Sequence, residues 1–438
     1  MKREGKIGLL GAVSIGIGGM VGGGIFAVLG EAVSLAHGAT AVAFLIAGLV
    51  ALSTAYSYVK LSVSYRSEGG TVTFVDRAFG DNVLSGSINL MLWLSYLVTI
   101  SLYATAFAYY GANFFKESIP YLHHILISFA IVVPAILNFY SATLVARSES
   151  FIVLLKVSLL VLVIVVAAPF VDMERLSPKN WGSVLSIVNA GMIIFVAYEG
   201  FELISNSAED IEEPEKNLPA AFYISVVSVI VLYVLISIIT VGSVSEGELM
   251  KAKDYALAIA AEPSLGKFGF TIVSIAALLS TFSAINATIY GNSRLGYIIA
   301  KEGQLPADLM REKNDVPIMG TLYTTVLSLL LANSIDLNSI AIIGSAGFLL
   351  IFLLVNLSAF RLREEIGARV SILSVSIILS LFALVTLIFH TYSSNPQAVI
   401  IFISFILVSM LFELIYGRFV RGHMFLRRYI RGKRSKLD

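Results

Sequence analysis

Apolar runs of about twenty residues recur from residue 7 to residue 416, separated by short charged or Pro/Gly-rich breaks. A run of that length is what a helix needs to cross a hydrocarbon core roughly 30 Å thick. Soluble domains carry about 25% charged residues; this chain of 438 carries 13%, with 57% hydrophobic residues and a mean hydropathy of +0.87. The pattern predicts an all-α integral membrane protein with twelve spans. They fall at 7–35, 39–64, 83–114, 122–141, 148–170, 183–208, 218–241, 268–299, 318–333, 338–360, 370–390 and 396–416. The turn Asn333–Asn338 is short, so the division of 320–360 is the weakest step. The longest loop, about 242–267, has room for a short helix from Asp254 to Ala261. No soluble domain is expected.

The start, "MKREGKIGLL", has the basic flank of a signal peptide. The apolar run continues to about Leu35 without a small-residue cleavage site, which reads as a retained first span. Of the 30 lysines and arginines, Lys116, Arg175, Lys179, Lys251, Lys253 and Lys267 fall on one side and Lys156 inside a span. The other 23 share a side with both termini, which the positive-inside rule makes cytoplasmic, with a cell-membrane location. The basic tail Arg418–Lys436 fits a positive-inside anchor better than a headgroup or nucleic-acid patch. The absence of cysteine excludes thiolate and disulfide chemistry. The five histidines lie in loops, span ends or the tail, so no metal site and no cofactor are expected. No nucleophile–base–orienter set or phosphate loop argues for an enzyme.

Within span 1, "GIGGMVGGG" (Gly16–Gly24) holds six glycines in nine residues, each costing a helix interior about 1 kcal/mol relative to alanine. Gly18-x-x-x-Gly22 and Gly19-x-x-x-Gly23 are candidate helix-packing motifs. "GGGIFA" matches a loose dinucleotide pattern without the strand that pattern requires. Neither needs six glycines. A local unwinding does, because glycine lets the backbone turn and leaves N–H groups free for a ligand. Span 6 contains "AYEGFE", with Gly200 between Glu199 and Glu202, at the corresponding place in the second half. Paired interruptions of this kind point to a transporter with inverted repeats and a midplane site.

Lys156 lies deep in span 5, "SFIVLLKVSLLVLVIVV". An intramembrane amine is a functional candidate by default, either as a proton carrier or as a partner of backbone carbonyls or Glu202. Span 8 carries Ser280, Thr281, Ser283, Asn286 and Thr288 amid apolar residues, suited either to a cation site or to helix–helix hydrogen bonds. The aromatics of "WLSY" (Trp93–Tyr96) in span 3 read as packing.

The strings "SIGIGGMVGGGIF", "YEGFE" and "SAEDIEEPEKNLPAA" together resemble the amino acid–polyamine–organocation (APC) superfamily over essentially the whole chain. The resemblance implies a leucine-transporter-like fold with discontinuous helices 1 and 6. Residues 7–170 would form the first repeat, 183–360 the second, 370–416 the two extra spans and 417–438 a basic tail. The backbone at Met20, Gly22, Gly23 and Gly24 would hold a substrate carboxylate, and carbonyls around Val196, Ala197 and Glu199, beside Gly200, its amine. "SESFIVLLKVSLL" and "SAINATIYG" look closest to archaeal proton-coupled members of the superfamily, in which a fifth-span lysine takes the place of a sodium ion. Lys156 and Glu202 would then couple to protons, with Ser280 and Ser283 in support. Glu199 departs from the family pattern, where this position is often small or apolar. Facing the site and ionised, it would favour cationic substrates or act as a second proton group; turned away and protonated, it would change nothing. The expectation is an α-amino-acid importer partnered by protons and the bilayer. Exchange, or sensing without transport, are the alternatives.

Overall fold

The computed structural model describes residues 7–115, 119–140, 142–313 and 316–419, without the side chains of 140 and 142–150. Lys116 and the tail beyond Phe419 therefore lie outside the described residues. Among the described residues ten helices are long and apolar enough to cross a membrane, and the pair Leu9–Met20 and Gly24–Ala36, bent by 48°, makes an eleventh candidate. Ile318–Ser334, a shorter apolar helix of 17 residues, about 25 Å at the α-helical rise, stands at the place expected for the ninth span. Counting it, the helices fall at the twelve expected places.

We number them in order. Span 1 is the broken pair; span 2 is Thr40–Ser64, span 3 Val83–Ala112, span 4 Leu122–Tyr140 and span 5 Ala142–Ala167. Span 6 is Val184–Asn206, itself interrupted. Span 7 is Pro214–Ser243, span 8 Glu262–Lys301, span 9 Ile318–Ser334, span 10 Leu337–Arg361, span 11 Val370–Ser394 and span 12 Pro396–Phe419. Their starts follow from local chemistry. Asn82 accepts from the N–H groups of Leu84 and Ser85 at the head of span 3, and Asp336 from Ser339 at the head of span 10. Both satisfy donors that a helix start leaves open.

Burial sorts the spans into a centre and a periphery. In span 3, 94% of the most apolar stretch is buried, in span 10 83% and in span 6 78%. Spans 5 and 12 bury only 28% and turn leucines such as Leu154 and Leu411 outward. A side chain facing lipid loses nothing by being apolar, so the outer spans stay hydrophobic all round.

Odd and even spans run in opposite directions, so the loops after spans 2, 4, 6, 8 and 10 share a side with residue 7; we call it the terminal side. Backbone bonds there join Ile7 to Asp210 and Glu212 after span 6. Arg66 pairs with Glu215, and the Tyr65 hydroxyl donates to Glu365 at 2.6 Å. On the opposite side His37 meets Glu246 at 2.7 Å and Lys253 pairs with Glu31.

Glu262–Lys301 is two helices joined at a kink: the backbone at Gly266 (φ 61°, ψ −151°) is not helical, and the regular run that follows it agrees with the expected 268–299. Two short helices differ from the sequence reading. The loop before span 8 holds Ala256–Ala260, inside the expected Asp254–Ala261, and beyond that reading a second short helix, Glu246–Lys251. A further helix, Thr71–Phe79, lies between spans 2 and 3. Its nine residues are too few to register as an apolar run.

Candidate functional site

Span 1 stops being a helix at Val21–Gly23. The Val21 N–H closes the first half on Ile17 O (2.7 Å), and the second half starts at Gly24 with Ala27 donating to Gly23 O (3.0 Å). The first N–H groups of that second half have no partner within their own helix. Span 6 runs regularly from Val184 to Ile193, tightens into a 3-10 turn over Ile194–Tyr198, turns at Gly200 (φ 119°) and resumes at Leu203–Asn206.

The two breaks touch, backbone on backbone. A Cβ on Gly19 would stand 2.6 Å from the Gly200 carbonyl oxygen, and one on Gly200 would stand 2.3 Å from the Gly19 carbonyl carbon. A Cβ on Gly24 would reach within 2.7 Å of the Ala197 Cα, and one on Gly23 within 2.4 Å of the Tyr103 ring. The glycines therefore serve both readings at once: they unwind span 1, and they admit close neighbours.

Unwinding strands carbonyls as well as N–H groups, and in a membrane these must find protein partners. Three spans supply them. Lys156 Nζ, 3% exposed, donates to Gly18 O at 2.9 Å from span 5. The Tyr233 hydroxyl donates to Met20 O at 2.6 Å from span 7 and lies 3.2 Å from Ala197 O, so it touches both breaks. Ser280 Oγ donates to Gly22 O at 2.8 Å from span 8 and lies 3.4 Å from Val21 O.

Span 6 is stabilised differently. Glu202 Oε2 accepts the Gly200 N–H at 2.8 Å, its own break's donor, and Oε1 accepts the Tyr96 hydroxyl at 2.9 Å. The Glu199 carboxyl faces inward, in hydrogen-bond contact with Glu202 and with the Tyr103 hydroxyl at 3.3 Å. Ser345 of span 10 receives the Val196 N–H at 2.9 Å and donates to Ile193 O at 2.5 Å. Glu199 and Glu202 are 3% and 1% exposed.

Most candidate residues named from sequence thus fall into one cluster: Met20 lies against Gly200 and Gly24 against Ala197, Gly22 and Gly23 face Tyr103, Lys156 and Ser280 bond to the first break, and Glu199 and Glu202 belong to the second. Ser283 is half-buried and, among the described residues, reaches none of these carbonyls. Thr281 and Thr288 bond to their own helix, and Asn286 to Asn138 of span 4. Sequence reasoning missed Tyr103, Tyr233 and Ser345, and gave Tyr96 packing alone. Tyr96 does pack, 5.5 Å from the Phe348 ring, but its hydroxyl also serves Glu202. Nothing in their local sequence marks these side chains, because the partners lie 36 to 213 residues away, on other spans. Among the described residues no group of three His, Cys, Asp or Glu could hold a metal.

The chain matches the amino acid permease family model over residues 7–412, a range that includes both breaks and Lys156. It is 35% identical over 415 residues to an uncharacterised protein of Methanocaldococcus jannaschii, covering 94% of this chain and 95% of that one. It is 34% identical over 418 residues to the inner membrane transport protein YbaT of Escherichia coli, covering 94% and 96%. Similarity to the branched-chain amino acid permease BcaP of Bacillus subtilis is 25% over 387 residues, 83% and 82% of the two chains.

Proposed function

This chain belongs to the amino acid permease family, and from that premise we propose that it imports α-amino acids together with protons by alternating access. The carrying observation is the meeting of two broken spans with Lys156 bonded to one of them. An α-amino acid needs a carboxylate site and an ammonium site a few ångströms apart. The second half of span 1 offers free N–H groups and a positive helix end to the carboxylate at Gly22, Gly23 and Gly24, beside Met20. The turn of span 6 offers carbonyls at Val196, Ala197 and Glu199, next to Gly200, to the ammonium. Carbonyls have two acceptor positions, so the bonds Ala197 and Val196 already receive leave one free.

In its ammonium form Lys156 holds Gly18 through a charge-assisted bond, worth about 1.5–3 kcal/mol. Loss of the proton weakens that bond and frees the first half of span 1 to move, which couples proton release to the change of access. Glu202, hydrogen-bonded to the Gly200 N–H, is placed to do the same for span 6. Ser280 supports the first break from span 8. The reading includes an inverted repeat over 7–170 and 183–360, with the terminal side cytoplasmic and the cell membrane as location.

In proteoliposomes an inward proton gradient should drive amino-acid uptake, and Lys156→Ala should remove the gradient dependence. Uptake that required a sodium gradient and ignored pH would overturn proton coupling. Stimulation by internal substrate with no response to pH would replace import by exchange. Binding without counterflow would reject transport itself.

A further inference from the structure

A carboxyl outside the substrate cluster sits where the terminal-side loops converge. Asp76 lies on the short helix Thr71–Phe79 between spans 2 and 3. Its Oδ1 accepts from Asn89 Nδ2 at 3.0 Å, and its two oxygens lie 3.2 and 3.3 Å from Gln304 Nε2. Asn89 Nδ2 also donates to Gln304 Oε1 at 2.7 Å. Asn89 is in span 3 and wholly buried; Gln304 follows span 8 and is 1% exposed. Asn89 Oδ1, also buried, has no hydrogen-bond partner. An orphaned acceptor beside a carboxyl is a place for a carboxyl proton: when Asp76 carries one, its O–H becomes a donor, and rotation of the Asn89 and Gln304 amides together brings Asn89 Oδ1 to it and turns Gln304 Nε2 towards that same oxygen. Asp76 itself keeps partial access to solvent, which gives the proton a path.

The charged surroundings favour that protonated form. Glu302, at the end of span 8, and Asp81, before span 3, both repel a negative charge here. Arg77, the next residue on the same helix, lies over the Tyr65 ring, and Arg361 of span 10 over the Phe79 ring. Among the described residues no salt bridge reaches Asp76. The head of the same helix abuts the end of span 6: a Cβ on Gly70 (φ 45°) would stand 2.1 Å from Asn206 Oδ1. One nine-residue helix therefore touches the end of a broken span and is bound through Asp76 to spans 3 and 8.

We propose that Asp76, Asn89 and Gln304 form a proton-binding site separate from the substrate cluster, and that a proton on Asp76 clamps the helix Thr71–Phe79 to spans 3 and 8. Burial, the largest cause, and then the two acidic neighbours against the amide bonds, push the Asp76 carboxyl up from its ordinary 3.8 to about 7. Release of the helix into water returns it to the ordinary value. The clamped state thus binds the proton more tightly, so acid strengthens the clamp, and that contribution is lost as pH rises from 3.8 towards 7. Between pH 6 and pH 8 the clamped-to-open ratio should fall about tenfold.

This proposal depends on neither the substrate nor the coupling ion, and its test needs no transport. The chain has no cysteine, so Val75→Cys, at a buried position of the clamped helix, and Leu84→Cys, at a position 50% exposed, each carry one thiol. The rate of modification of the first by a charged thiol reagent, divided by that of the second, should rise about tenfold from pH 6 to pH 8. Adding Asp76→Asn should flatten the rise; adding Gln304→Ala, which removes two bonds to the carboxylate, should move it to higher pH. Hydrogen exchange of residues 71–79 in the unsubstituted protein, corrected for intrinsic rates, should show the same loss of protection and covers the case of a variant that does not fold. A ratio and a protection independent of pH, or a rise that survives Asp76→Asn, would overturn the proposal.

Discussion

Spans 1 and 6 break at matching depths, yet each is held open by a different kind of support. Span 1 unwinds through glycine, and its stranded carbonyls are taken by Lys156, Tyr233 and Ser280 from spans 5, 7 and 8. Span 6 has one glycine at its turn, and its N–H is taken by Glu202, two residues along the same chain. The side-chain support of the first break comes wholly from other spans; the second adds its own Glu202 to support from Tyr96, Tyr233 and Ser345 of spans 3, 7 and 10. A support spread over other helices changes whenever any of them moves. A support carried within the segment moves with it. Span 1 is accordingly the break whose shape depends most on its neighbours, and span 6 the one that carries part of its own.

The point where the two breaks meet should be the most sensitive. Gly200→Ala puts a Cβ 2.3 Å from backbone at a φ of 119°, a conformation closed to L side chains. We expect a loss above about 3 kcal/mol, seen as failure to purify as a monodisperse species. Gly19→Ala, 2.6 Å from the Gly200 carbonyl oxygen, should be nearly as severe. Gly16→Ala should be milder, because what it meets are side-chain atoms of Ser225 and Ile204 and no backbone, at an ordinary helical conformation. Equal losses at all three positions would show that unwinding, and not the contact between breaks, is what the glycines provide.

How far these differences were legible in the sequence follows from the range of the interactions. The twelve spans, both breaks, and Lys156 and Glu202 as the charged groups beside them could be read directly, because length, glycine content and an isolated charge are local signals. The support of span 1 could not. Tyr233 is one of 19 tyrosines, and only the packing of span 7 against both breaks distinguishes it. Ser280 and Ser283 have the same chemistry three residues apart; the rotation of span 8 points the first at Gly22 and leaves the second without such a partner. Nor could sequence find Thr71–Phe79, whose role comes from the three elements it touches.

The partly self-supported break should respond to the one residue of its own that holds it. Glu202→Ala removes the acceptor of the Gly200 N–H and of the Tyr96 hydroxyl together, leaving a buried donor unpaired at about 1–3 kcal/mol. Glu202→Gln can keep both bonds by accepting from Gly200 with its carbonyl and donating to Tyr96 with its amide. Thermal unfolding in detergent should show a clear drop for the alanine variant and recovery of most of it for glutamine. If glutamine were as damaging as alanine, the charge of Glu202 and not its acceptor role would hold the turn, and span 6 would no longer count as supported by hydrogen bonding alone.

The smallest effect should come from the shared side. Ser280→Ala takes one donor from Gly22 O and the longer contact from Val21 O, a loss of about 1 kcal/mol for a single neutral bond. Lys156 and Tyr233 still hold Gly18 and Met20 just before the break, so it keeps its path and the unfolding midpoint should fall only slightly. Pairing Ser280→Ala with Tyr233→Phe makes the comparison sharp. Two supports lost from one three-residue break should cost more than the sum of the single losses, because the remaining lysine then holds it from one end. A purely additive double variant would mean that each carbonyl is held independently, and that span 1 is as segmental as span 6.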